Sequence, residues 1–167
     1  AMWRQLRAVM NELSADDSLR AVVIRGEGGN FAAGGDLEEM VVERATRELA
    51  QRYHGEWVAP ALAAVAECQH PVVAAIQGAC VGGGLEFALA CDMRVAAEDA
   101  KLGLAEVKRG LIPGAGGTQR LARTVGVAKA LEICLTGDNV TGSEALRLGL
   151  VNIAVPASNV MKAAEDL

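Results

Sequence analysis

Apolar side chains divide the chain into short alternating elements. Trp3, Leu6, Val9, Met10 and Leu13 recur at helical spacing, so the chain begins inside or at the start of an amphipathic helix. Ala21–Arg25 is an apolar run of strand length, and the glycines of Gly26–Asn30 mark the loop that ends it. Asp36 is placed to cap a helix running through Leu37–Met40, because a short carboxylate can accept from the first free N–H groups. Residues 43–69 are rich in helix formers and interrupted only by Gly55 and Pro60, which predicts one long helix or two broken ones. Pro71 opens the strand Val72–Ile76. A glycine-rich turn, a buried helix over Leu85–Ala90 and a strand over Met93–Ala97 follow. Beyond them Gly110, Pro113, Gly114, Gly116, Gly117, Gly126, Gly137, Gly142 and Gly149 separate short helical segments, and Gly114–Gly117 reads as a tight lead-in to a helix. Thr141–Glu144 matches a capping box in which Glu144 reaches back to Thr141. Leu150–Val155 is a last short strand and Ala157–Leu167 a last helix. Strands alternating with helices predict an α/β fold.

Composition narrows the chemistry. With 167 residues, 51% of them hydrophobic, the chain can bury one substantial core, and a single domain is expected. The 16 basic residues against 21 acidic ones give a formal charge of -5, which argues against a general footprint for nucleic acid or an anionic membrane. The longest apolar stretch, Val72–Ile76, is far shorter than the run of about 20 needed to span a bilayer, so a soluble protein is expected. Cys68, Cys80, Cys91 and Cys134 show no C-x-x-C spacing and lie among apolar neighbours, which fits a reducing, cytoplasmic setting. His54 and His70 are the only histidines and no H-E-x-x-H is present, so no metal site is expected. His54 falls on a polar helical stretch and is read as a solvated surface residue. A phosphate loop, a dinucleotide fingerprint and a G-x-S-x-G elbow are each missing a required residue; Phe31, for example, stands where the third fingerprint glycine would be.

Two glycine-bearing segments remain, Phe31–Asp36 and Gly78–Glu86, each following a short apolar run. Such turns expose bare backbone N–H groups, and two of them can aim amides at one oxygen whose negative charge exists only during a reaction. The plainer reading of Gly82–Gly84 is a packing turn that lets a helix approach a sheet. Glu86 argues for more, because a carboxylate inside the apolar segment Val81–Ala90 with no evident cation beside it is costly to bury. Glu106 also stands in an apolar setting, although Lys101, Lys108 and Arg109 are near enough in sequence to offer a simple salt bridge. Two carboxylates beside an oxyanion-type turn suit proton transfer and water activation, since apolar surroundings raise a carboxyl pKa toward the working range.

At these residues the chain resembles the crotonase superfamily, and within it the enoyl-CoA hydratases, from about Leu6 to Val155. Phe31–Met40 looks like the family's first oxyanion segment, Gly78–Asp92 like its second, and Leu104–Leu121, with Ile112-Pro-Gly-Ala-Gly-Gly-Thr-Gln-Arg120, like its third signature. The resemblance implies a ClpP-like spiral of ββα units, an acyl-CoA thioester substrate and a homotrimer or hexamer. It implies no metal and no cofactor beyond the coenzyme A carried by the substrate. It places the oxyanion donors on the N–H groups of Gly35 and Gly83 and the two hydratase carboxylates on Glu86 and Glu106. It also places Ala32 and Ala33 against the CoA adenine, Asp36 and Leu37 beside the substrate, and Val81, Gly82, Pro113 and Gly114 along the acyl channel. The implied reaction is addition of water across the 2,3 double bond of a trans-2-enoyl-CoA. Enoyl-CoA isomerisation, acyl-CoA hydrolysis or decarboxylation, and a non-catalytic RNA-associated role are the alternatives. Position 35 is glycine where hydratases more often carry alanine, and the family's opening strands and C-terminal helices have no counterpart in these 167 residues.

Overall fold

The computed structural model describes residues 2–167, apart from the side chain of Leu37. Helix α1 (Met2–Ser14) buries Trp3 and Met10 and packs on α4 (Ala59–Ala66), which buries Ala61, Leu62 and Val65 in return. Strands β1 (Val22–Arg25), β2 (Val72–Ile76), β4 (Met93–Ala97) and β7 (Ile153–Val155) form one parallel sheet in that spatial order. All of β2 is buried, as its unbroken Val-Val-Ala-Ala-Ile sequence requires of a central strand covered on both faces. A second sheet holds β3 (Ala79–Val81) parallel to β5 (Lys101–Gly103), with β6 (Val140–Thr141) antiparallel to β5.

The two sheets are linked by a repeating path. After β2 the chain enters the second layer as β3 and turns into α5 (Gly83–Ala88). After β4 it enters as β5, then passes through a 3-10 turn (Glu106–Arg109) into α6 (Gly117–Val125) and α7 (Val127–Thr136). After β1 the second-layer position is a single bridge, Ala32 to Cys80, followed by α2 (Leu37–Glu43). Parallel neighbours cannot be joined by a hairpin, so each crossover carries its helix back over the sheet. The result is the α/β spiral of ββα units that the resemblance implies. Helix α8 (Gly142–Arg147) precedes β7, and α9 (Val160–Glu165) closes over β2 and β4.

Polar side chains pin the crossovers. The Asp92 carboxylate accepts from the Val72 N–H at 2.7 Å, and the buried Arg94 donates to the Leu150 and Cys91 carbonyls at 2.8 and 2.9 Å. Asp36 caps α2 as expected, accepting from the N–H groups of Glu38 and Glu39.

Some expectations need correction. Of the two alternatives for the 43–69 region, one long helix forms, over 47–66, but with a π-helical turn inside it that the sequence does not announce. Helix α3 (Arg47–Arg52) runs through a π-helical turn (Tyr53–Val58) into α4, with the Ala59 N–H donating to the His54 carbonyl five residues back. Pro60, which has no N–H to donate, follows directly after this widened turn. The Thr141 hydroxyl does accept from the Glu144 N–H at 3.2 Å, but the return bond from Glu144 is not formed among the described residues, and Thr141 is instead paired with Lys101 in β6. The four cysteines are free, and among the described residues no helix is long and apolar enough to cross a membrane.

Glycine at 84 is set by packing. A Cβ there would run into the Ala32 carbonyl, so α5 can lie on the first glycine segment only without a side chain. G84A is therefore expected to destabilise by about 1–3 kcal/mol, lowering the thermal midpoint by several degrees. G55A, helical and with nothing within 4 Å of its Cβ, serves as the tolerated control. Thermal unfolding followed by circular dichroism checks both.

Candidate active site

The two glycine segments converge. Ala32 donates to the Ala79 carbonyl at 3.1 Å and accepts from the Val81 N–H at 3.0 Å, which lays residues 31–35 alongside β3. Gly34, at φ 94°, has its side-chain direction 3.1 Å from the Gly83 nitrogen, and Gly83 has its own 3.1 Å from the Gly34 Cα. A side chain at either position would press on the facing backbone by a few tenths of an ångström. Gly82, at φ 55°, makes the left-handed step that starts α5. Among the described residues, neither the Gly35 N–H nor the Gly83 N–H finds an acceptor.

Both carboxylates stand at this junction. Glu86, on α5, is 3% exposed, and its Oε1 accepts from the N–H groups of Ala115 and Gly117, each at 2.8 Å. The glycine-rich lead-in to α6 thus supplies what sequence reasoning could not see: amide partners, rather than a cation, for a buried carboxylate. Burial pushes the Glu86 pKa up and nearby Glu106 adds to the rise, while the two backbone N–H groups and Arg120 oppose it. Glu106 opens the 3-10 turn with its Oε1 3.1 Å from the side-chain direction of Gly82. The salt-bridge reading fails here, since Lys108 pairs with Asp138 at 2.9 Å and no cation bonds to Glu106 among the described residues. The Glu106 Oε2 is buried without a hydrogen-bond partner, and burial raises its pKa. Half-buried Cys134 on α7 is raised by burial and then by both glutamates, so the two carboxylates act on one neighbourhood.

The remaining residues singled out by sequence divide into two groups. Val81 and Gly82 end β3 beside Glu106, and the Ala33 carbonyl lies 4.0 Å from the Gly82 side-chain direction. Pro113 is buried against Gly117, and Gly114 faces the His54 ring at 3.5 Å. Asp36 is exposed and its carboxylate is occupied by the α2 cap; the Leu37 side chain lies outside the described residues.

His54 is not a solvated surface residue. The π turn brings it half-buried against Gly114, its Nδ1 has no hydrogen-bond partner among the described residues, and burial and then Arg44 lower its pKa. Tyr53 carries no signal in the sequence, yet it is 1% exposed and its hydroxyl stands 2.8 Å from the side-chain direction of Gly35. Adjacent residues of the π turn therefore touch the first and third signature segments. A helix with ordinary periodicity gives no sequence signal for this.

A two-layer ββα spiral with paired glycine turns, a buried Glu86 and a half-buried Glu106 defines a crotonase-fold protein. The enoyl-CoA hydratase/isomerase family model matches residues 1–167. A curated Bacillus subtilis (strain 168) relative named "Probable enoyl-CoA hydratase" is 45% identical over 152 residues, covering 89% of this chain and 57% of its own length. The "Fatty acid oxidation complex subunit alpha" of Shewanella frigidimarina (strain NCIMB 400) is 43% identical, with 98% of this chain covered and 23% of that protein. The crystal structure of the Bacillus anthracis enoyl-CoA hydratase superposes with a TM-score of 0.92 at 37% identity, covering 98% of this chain and 63% of that one. The chain belongs to the enoyl-CoA hydratase/isomerase family, and it spans less than two thirds of the length of each of these relatives.

The raised Glu86 pKa has a pH consequence. Between the ordinary value of 4.5 and the raised one, the folded chain keeps a proton that the unfolded chain has released. This stabilisation is complete below that interval and is lost as pH rises through it. E86Q keeps an oxygen acceptor for Ala115 and Gly117 without the titration. Relative to E86Q, the wild type should lose stability as pH climbs above 4.5, and unfolding midpoints of both proteins measured across a pH series check this.

Proposed function

We propose that the protein containing this chain adds water across the 2,3 double bond of a trans-2-enoyl-CoA. The observation that carries this reading is the junction itself: two carboxylates with raised pKa values beside two backbone N–H groups that find no acceptor among the described residues. The thioester carbonyl oxygen accepts from Gly35 and Gly83, and an oxyanion donor of this kind is worth about 2.7–4 kcal/mol in the transition state.

In the reaction, the water oxygen bonds to C3 while one of its protons passes to a carboxylate. The C2–C3 π electrons move toward the thioester oxygen as an enolate, which collapses by taking a proton at C2. Glu86, whose oxygen is held by two N–H groups, suits the ionised partner that orients and deprotonates water. Glu106, whose Oε2 has no donor, suits the carboxyl that delivers the proton to C2.

Val81, Gly82, Pro113 and Gly114 line the acyl channel in this reading, with Ala32, Ala33, Asp36 and Leu37 toward the CoA. Coenzyme A arrives with the substrate, and the chemistry calls for no further cofactor. Assembly into a homotrimer or hexamer belongs to the same proposal. It is supported by the stripe of Val127, Leu131 and Leu135 on α7, apolar side chains that are all exposed at helical spacing.

The full chain assayed with crotonyl-CoA should consume the conjugated enoyl absorbance without releasing thiol. E86Q and E106Q should each reduce kcat by about 10²–10⁴-fold. Wild-type turnover by either variant contradicts the assignment. Thiol release would point to hydrolysis, and conversion of a trans-3-enoyl-CoA with no hydration would point to isomerisation.

A further inference from the structure

Tyr53 lies outside the proposed chemistry, yet it is built into the site. Its hydroxyl accepts a hydrogen bond from the Trp3 Nε1–H at 2.9 Å, and both side chains are buried. Arg44 stacks over its ring at 4.8 Å, and Trp57 meets it edge-on at 5.5 Å between centroids. The hydroxyl is thus fixed from several sides. It stands 2.8 Å from where a Cβ on residue 35 would be, with the Trp3 Nε1 at 3.7 Å from the same point. A carbon does not approach an oxygen that closely, and this hydroxyl has little room to retreat.

Residues 34 and 35 are therefore clamped from two sides. The side-chain direction of Gly34 meets the Gly83 backbone at 3.1 Å, and that of Gly35 meets the Tyr53 hydroxyl. We propose that Tyr53 is a positioning residue for the first amide donor: its Trp3-anchored hydroxyl occupies the space of a residue-35 side chain and holds Gly35 against the second glycine turn. Glycine at position 35 is then the partner of this tyrosine. The proposal rests on the reading of Gly35 as a donor to the thioester oxygen. An alanine would either displace Tyr53 or push the donor out of line, and a misplacement of about 1 Å in such geometry costs on the order of a hundredfold in rate.

The test compares wild type, G35A, Y53F and G35A/Y53F in the full chain. It uses crotonyl-CoA turnover and the ultraviolet absorbance of the enolate formed by bound acetoacetyl-CoA, which reports oxyanion stabilisation without turnover. G35A should lower kcat about tenfold to a hundredfold with KM within about threefold, and should reduce the bound enolate in parallel. Removing the hydroxyl should relieve the clash, so G35A/Y53F should return to within about threefold of Y53F on both readouts. G35A/W3F, in which the tyrosine is unanchored, should recover part of the loss while thermal unfolding shows each variant folded.

A double variant as impaired as G35A overturns the proposal, as does a fully active G35A. Y53F alone losing the enolate as completely as G35A also overturns it, because the hydroxyl would then itself be a donor. If no variant or wild type hydrates crotonyl-CoA but the enolate pattern holds, the hydration reading fails and the Tyr53 assignment stands.

Discussion

Gly34 and Gly83 face each other with only 3.1 Å between the side-chain direction of each and the other's backbone, and much of the site's geometry follows from that close approach. A side chain at either position presses on the facing backbone, and at Gly34 the positive φ adds strain, so the approach that sets the amides of Gly35 and Gly83 side by side favours glycine at both. The same approach lets α5 begin at Gly83, which carries Glu86 into the interior. It also places Gly82 against Glu106. One constraint, the absence of Cβ atoms at the apices of two short turns, thus brings two carboxylates and two amides with no acceptor among the described residues to a single junction. The ββα spiral supplies the scaffold: β2 leads into β3 and the second turn, while the Ala32–Cys80 bridge docks the first turn on β3.

The electrostatics of the junction depend on what the glycines leave open. Glu86 is buried without a bonded cation, yet it is satisfied by amides from the lead-in to α6, where Gly117 is another position that a side chain would obstruct. Glu106 lacks that amide pair, and its Oε2 is buried without a hydrogen-bond partner among the described residues. Two carboxyl groups of one residue type are in this way made chemically unequal, which is the condition for one to accept a proton while the other gives one up. Both are raised first by burial, so the apolar packing itself sets how the two carboxyl groups titrate.

Much of this was legible in the sequence. The β2 run, the Asp36 cap and the apolar segment around Glu86 announce themselves because each depends on residues close along the chain. Other features depend on partners far away. Strands β3 and β5 are three residues long and end beside glycines, so their pairing carries no periodic signal. The fate of Glu106 was ambiguous because three cations lie near it in sequence, whereas in space Lys108 turns to Asp138. Tyr53 and His54 were hidden by the π turn, which shifts helical phase and aims adjacent residues at Gly35 and Gly114. The incomplete capping box at Thr141 shows the converse: a local motif yields when tertiary pairing, here with Lys101, claims the same residue.

The central claim is that the Gly35 and Gly83 amides converge on one thioester oxygen, and a crystal structure of the full chain with a bound saturated acyl-CoA tests it most directly. The oxygen should lie within about 2.7–3.1 Å of both nitrogens, in line with their N–H bonds, with C2 and C3 of the acyl chain between Glu86 and Glu106. A thioester oxygen held by other donors, or turned toward solvent while the two amides bond elsewhere, would contradict the account.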